Sequence, residues 1–189
     1  MIRQISTLIL CCFAICGFAQ EHLTFKGIPI TGAMTVFCER LKDKGFVQIE
    51  PEDSNFYLFE GVFTGSQVTV GAMATDNGQD VYTVAVFFDE SDSWNNLVNT
   101  YEYYKDLYTE KYGSPTKCVE INPSDNDSNT SLMYELFQDR VSYTCIFEPS
   151  GGAIKISINK GRIGNGVVMI TYMDSQNIST KRLSDLNEI

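Results

Sequence analysis

The apolar pattern of this chain predicts an α+β fold: tandem α-β-β-β(-β) repeats with helices packed on one face of an antiparallel sheet. Three observations lead there. Two segments carry helical spacing, the rest reads as short strands separated by glycine and asparagine turns, and helix and strands follow in the same order twice.

The fold is expected to start after residue 19. Arg3 gives a positive start, Leu8 to Phe18 is an apolar run, and Gly17 and Ala19 occupy the −3 and −1 positions of a cut before Gln20. This reads as a signal peptide (residues 1–19), so the mature chain is secreted or periplasmic. No small residue precedes Cys11, Cys12 or Cys16 as lipid attachment requires, which favours soluble export. No later run has the ~20 apolar residues of a membrane helix, so no membrane insertion is expected once the signal is removed. Residues 20–91 form the first repeat, 92–173 the second, and 174–189 a polar tail or short terminal helix.

In the first repeat, Met34, Phe37, Cys38 and Leu41 recur at i, i+3, i+4 and i+7, with Thr31 as the candidate N-cap and Gly45 as the stop. An extended link with the acidic loop EPEDSN follows. Strands at 56–63, 67–73 and 81–88 come next, divided by Gly65-Ser66 and by TDNGQD. The second helix starts at Ser93 or Asp92 and buries Trp94, Leu97, Val98, Tyr101, Tyr104 or Lys105, and Tyr108 before Gly113 and Pro115 end it. Strands are then expected at 117–121, from Leu132 to Phe147, at 153–159 and at 167–173. The alternation of Ile154, Ile156 and Ile158 with Lys155, Ser157 and Asn159 marks a strand with one buried face.

The stretches FKGIPITGAMTVFCERLKDKGF, GVFTG and YGSPTKCVE are similar to those of a group of exported proteins from gut Bacteroidetes, over most of the mature chain. The tandem helix-plus-sheet plan also resembles the beta-lactamase inhibitor protein fold, at the level of architecture. That second resemblance implies a protein that clamps a partner with the concave face of its sheet, and it transfers no residues.

Charge and cysteines narrow the function. The formal charge is −10, and becomes −11 once Arg3 leaves with the leader. Such a chain repels phosphate backbones, so nucleic acid is a poor partner and a protein the better one. Of six cysteines, three lie in the leader. Cys38 belongs to the apolar stripe of the first helix, so elimination pairs Cys118 with Cys145. Closing that loop stabilises by roughly 3–4 kcal/mol.

Little in the chain points to chemistry. The only histidine, His22, is expected to be solvated near a frayed mature end. No CxxC or HxxxH spacing and no glycine-rich phosphate loop are present, so neither cofactor nor catalytic residue is predicted. The loop PSDNDSNTS (123–131) places Asp125, Asp127 and Asn129 as calcium loops do. Counting from Asp125, however, position 6 is Thr130 and position 12 is Leu136, where glycine and a bidentate glutamate belong. A solvated turn is the plainer reading, with these three residues as weak metal candidates.

Five tyrosines crowd the second helix and cannot all face one core stripe, so Tyr103 or Tyr112 is expected at the surface as a binding residue. Two readings follow. One is a non-enzymatic binding module that engages a protein through its sheet face or hairpin loops. The other is a small secreted hydrolase or ligand-binding protein using the loop carboxylates of Glu50–Asp53 and Asp89–Asp92.

Overall fold

The computed structural model describes residues 21–53, 56–76, 78–122 and 129–189, the side chains of 50–53 and 129–131 excepted. The expected leader and the acidic loop with Asp125 and Asp127 lie outside the described residues. The first half of the chain comprises a short hairpin, β1 (Thr24–Phe25) and β2 (Ile28–Pro29), then α1 (Met34–Asp43). The meander β3 (Val47–Asp53), β4 (Phe56–Phe63), β5 (Ser66–Ala74) and β6 (Val81–Phe87) completes it. The second comprises α2 (Trp94–Tyr112), β7 (Lys117–Ile121), α3 (Asn129–Phe137), β8 (Ser142–Phe147), β9 (Gly152–Lys160) and β10 (Gly166–Asp174). A terminal helix, α4 (Ser175–Leu186), closes the chain.

The eight long strands form one antiparallel sheet in the order β3-β4-β5-β6-β10-β9-β8-β7. Each meander runs from its outer edge inward, and the two meet where β6 pairs with β10. One face carries Phe59, Val70, Val86, Ile170, Ile156 and Cys145, which form a single core with Phe37 and Leu41 of α1, Leu97 and Tyr101 of α2, and Leu136 of α3. The predicted alternation in β9 is present: Ile154, Ile156 and Ile158 are all buried. Burying each such side chain contributes roughly 1.5–3 kcal/mol.

Four expectations need correction. Thr31 does not cap α1. Ala33 holds the cap position without a side-chain bond, and the Met34 amide instead donates to the Gly78 carbonyl at 2.9 Å. The stretch 132–147 is not one strand. Leu132, Met133 and Leu136 have helical spacing, and all three are buried on α3 before Asp139 turns the chain at φ 58° into β8. Glu50–Asp53 is not a loop but part of the edge strand β3, where Pro51 is tolerated beside a register irregularity between Ile49 and Asp53. Ser93, by contrast, caps α2 as expected, its side chain accepting from the Asn96 amide.

The fourth correction concerns His22. It is not frayed: its Nδ1 lies 3.1 Å from the fully buried carboxylate of Asp174. The same carboxylate accepts from the Leu23 amide at 2.9 Å and, as N-cap of α4, from the Asn177 amide at 3.0 Å. Buried, hydrogen-bonded Asn177 then donates to the carbonyls of Ile30 and Val81. The Gly151-Gly152 turn is glycine because a Cβ there would run into the backbone of Glu21–Leu23 and of Met173. Asp174→Ala strips these donors of their acceptor. It is expected to lower stability by about 2–4 kcal/mol with an unchanged urea m-value, as measured by equilibrium unfolding.

Candidate functional site

Helices α1, α2 and α3 cover one face of the sheet, so alternate residues of every strand point the other way. In register across that second face lie Leu58, Gly71, Ala85, Thr171, Lys155, Ile146 and Lys117. A neighbouring row runs Glu60, Thr69, Phe87, Met169, Ser157 and Thr144. Phe56, Leu58, Met73, Phe87, Met169 and Met173 are all partly accessible. The small residues Gly71 and Ala85 sit beneath them; a Cβ on Gly71 would collide with the ring of Phe56 and touch that of Phe87. The centre of this face is therefore apolar and shallow, with methionine providing an adaptable surface.

The β9–β10 hairpin borders a groove of about 820 Å³ lined by Phe56, Leu58, Thr69, Phe87, Asp89 and Arg162. Glu90 holds that hairpin in place. Its carboxylate accepts from the Arg162 amide at 3.0 Å and the Asn165 side chain at 3.3 Å. The tip presents Ile163, fully exposed, beside the Arg162 side chain. On the same sheet face, Thr171 Oγ1 is buried with no hydrogen-bond partner among the described residues. A buried hydroxyl without a partner is uncommon and costs about 1–3 kcal/mol unless something completes it.

The sequence-predicted tyrosines separate. Tyr103 is exposed, its ring standing edge-on to Tyr104 at 5.1 Å. Tyr112 is half-buried, packed on Tyr108 at 5.7 Å with the Lys111 ammonium 4.9 Å from its ring centre. Of the weak metal candidates, Asn129 begins α3, and its side chain lies outside the described residues.

Cys118 and Cys145 stand directly opposite each other across β7 and β8, with sulfurs at disulfide distance and Cα atoms 4.2 Å apart. Cys38 is free and buried, and burial pushes its thiol up. Glu120 lies close to both paired sulfurs, and these three residues have the spacing of a metal site. Bonded to each other, the sulfurs offer no thiolates, and Glu120 is already engaged. It accepts from Lys105 Nζ at 2.8 Å and from the Tyr101 hydroxyl at 3.0 Å. The Lys105 hydrogen bond is the main reason Glu120 ionises below the ordinary carboxylate range. Burial draws Lys105 down, but hydrogen bonds to Glu102 and Glu120 outweigh it and leave Lys105 raised. Burial, then the Glu120 charge, pushes the Tyr101 phenol well up. This cluster fastens α2 to the outer strands; the sequence reading missed it because its members come from three separated elements.

No family model matches the chain, and no curated protein or solved structure matches it either. Among the described residues, no helix is long and apolar enough to cross a membrane.

A carboxylate with a depressed folded pKa stabilises above its unfolded value and loses that contribution as pH falls through the folded one. Lys105→Met is therefore expected to cost less than about 1 kcal/mol at pH 7, the pair being partly solvated. Denaturant midpoints measured from pH 7 to pH 3 should show the gap between wild type and variant closing below about pH 4.

Proposed function

We propose that the chain is an exported, non-enzymatic binding module that takes a folded protein partner on the open face of its sheet. The observation that carries this reading is the asymmetry of the sheet. One face is sealed by α1, α2 and α3, while the other keeps a partly accessible apolar centre and, at Thr171, a buried hydroxyl with no partner among the described residues. Contiguous apolar surface of this kind on a charged, acidic protein is a mark of interaction. The partner is apolar opposite β4–β6 and β10. It carries carboxylates opposite Lys117, Lys155 and Arg162, which bring positive charge to this face of a protein whose net charge is −10. Ile163 and Arg162, held out on a hairpin anchored by Glu90, are the anchors that reach beyond the sheet.

Export is supported by the leader-like start and by a cysteine pair suited to an oxidising compartment. A tandem duplication is supported by the way each half runs helix, then four strands inward to a shared seam, the second half adding α3. The use of the sheet face agrees with the clamp that the architectural resemblance implies. The rival hydrolase reading draws no support from Glu90, whose carboxylate is committed to the hairpin, or from His22, whose Nδ1 is committed to Asp174.

The test is site-specific photo-crosslinking in the native host, with the crosslinker at Thr69 or Met169 on the open face and at Thr35 on α1. One protein is expected to crosslink from the open face and not from Thr35. Arg162→Glu with Ile163→Asp, both on an exposed tip, is expected to weaken its binding at least tenfold. Crosslinks only from Thr35, or none from a folded protein, would overturn the assignment.

A further inference from the structure

On the helix-bearing side, away from the open face, a second cavity of about 330 Å³ lies between the last turns of α2, the β1–β2 turn and the end of β4. This is the lower end of the size range of small-molecule sites, roughly 300–1,000 Å³. Its walls are the rings of Phe63, Tyr104, Tyr108, Tyr112 and Tyr172. Phe63 stacks on Tyr104 at 6.0 Å and Tyr108 leans on Tyr172 at 6.4 Å, so the walls are braced by one another. Tyr104 and Thr64 share a hydrogen bond, which fixes one side.

Two features of the cavity point to a ligand. The first is a surplus proton. Tyr108 and Tyr172, each more than nine-tenths buried as a residue, are hydrogen-bonded to each other through their hydroxyls. Burial, the largest cause for each, pushes both phenols up, so both stay protonated at neutral pH. Two phenols hold two protons, and a single bond between them uses one. The other has no acceptor among the described residues, and both hydroxyl-bearing residues line the cavity.

The second feature is charge. Lys26 and Lys111 stand at the rim, and among the described residues no aspartate or glutamate lines the cavity. Lys26 donates to the Val62 carbonyl at 3.0 Å and lies 5.2 Å from the Phe46 ring centre, while Lys111 lies over Tyr112. Neither ammonium has a carboxylate partner among the described residues. In a chain with net charge −10, two cations left without counter-ions at the mouth of an aromatic cavity make an anion-selective entrance.

We infer that this cavity binds a small aromatic monocarboxylate, its ring held among Phe63, Tyr104, Tyr108, Tyr112 and Tyr172 and its carboxylate at Lys26 and Lys111. An oxygen on the far side of the ring accepts the surplus phenol proton of the Tyr108–Tyr172 pair. Ring-on-ring packing supplies the affinity, and the lysines select the anion over its neutral ester.

Titration of the purified mature protein with 4-hydroxyphenylacetate, followed by calorimetry and ligand-observed NMR, tests this. Saturable binding is expected, with the methyl ester at least tenfold weaker. Lys111→Met, an exposed change that leaves the core alone, is expected to weaken the acid several-fold and the ester hardly at all. Tyr172→Phe is expected to erase the advantage of 4-hydroxyphenylacetate over phenylacetate. The site is refuted by no saturation up to millimolar ligand with folded wild-type protein, or by equal binding of acid and ester. Binding left intact when Leu107→Trp fills the cavity mouth would refute it equally.

Discussion

Where β6 meets β10, antiparallel pairs from Met173↔Thr83 to Met169↔Phe87 join two four-strand meanders into one sheet. Left bare, either inner edge would offer a row of unpaired amides and carbonyls, a template for pairing with another chain. Joining the inner edges leaves β3 and β7 as the rims. These rims are protected in the usual ways: β3 carries Pro51, acidic residues and a register irregularity, and β7 carries exposed Lys117 and Glu120. The seam also sets the positions of the helices. α1 lies over the first meander and α2 over the second, and their cores fuse across Val86 and Ile170 into a single cluster.

The seam is fastened at one end by Asp174, the last residue of β10. One buried carboxylate caps α4, holds the Leu23 amide and receives His22, so the start and finish of the described chain share an acceptor. A buried carboxyl group is tolerated only when polar partners surround it, and here they come from positions 22, 23 and 177. The outer end of the second meander has its own fastening in Cys118–Cys145 with Tyr101, Glu120 and Lys105 beside it. Polar groups thus tie down the periphery, and apolar packing fills the middle.

This arrangement separates two kinds of surface. On the helix side, the aromatic residues crowding α2 over-fill one stripe, and Tyr104, Tyr108 and Tyr112 line a cavity at the edge of the core. On the open side, the sheet keeps small residues under larger accessible ones, which makes a shallow surface instead of a deep pocket. The hairpin held by Glu90 adds relief to that surface at one edge. A shallow face suits a protein and a braced aromatic cavity suits a small molecule, so the two proposals address different ligands on different sides of one sheet.

The sequence by itself determined the local structure. Spacing in TVFCERL and in WNNLVNTYEYY marked the buried stripes of α1 and α2, the isoleucines of β9 marked its inner face, and elimination paired Cys118 with Cys145. These features were legible because period and turn chemistry act over a few residues. The apolar runs VYTVAVF and VVMITYM marked two strands, although not which strand lies beside which. α3 was misread because a short apolar segment fits strand and helix alike until Gly166 and Leu97 show what Leu136 packs against. Only the tertiary structure decided the β6–β10 seam, the partners of Asp174 and Glu90, and the cavity where Lys26 and Lys111 share a rim. Apart from the local Asp174–Asn177 cap, those contacts join residues about 70 to 150 positions apart, and nothing in local pattern says which distant group will supply a buried polar atom with its partner.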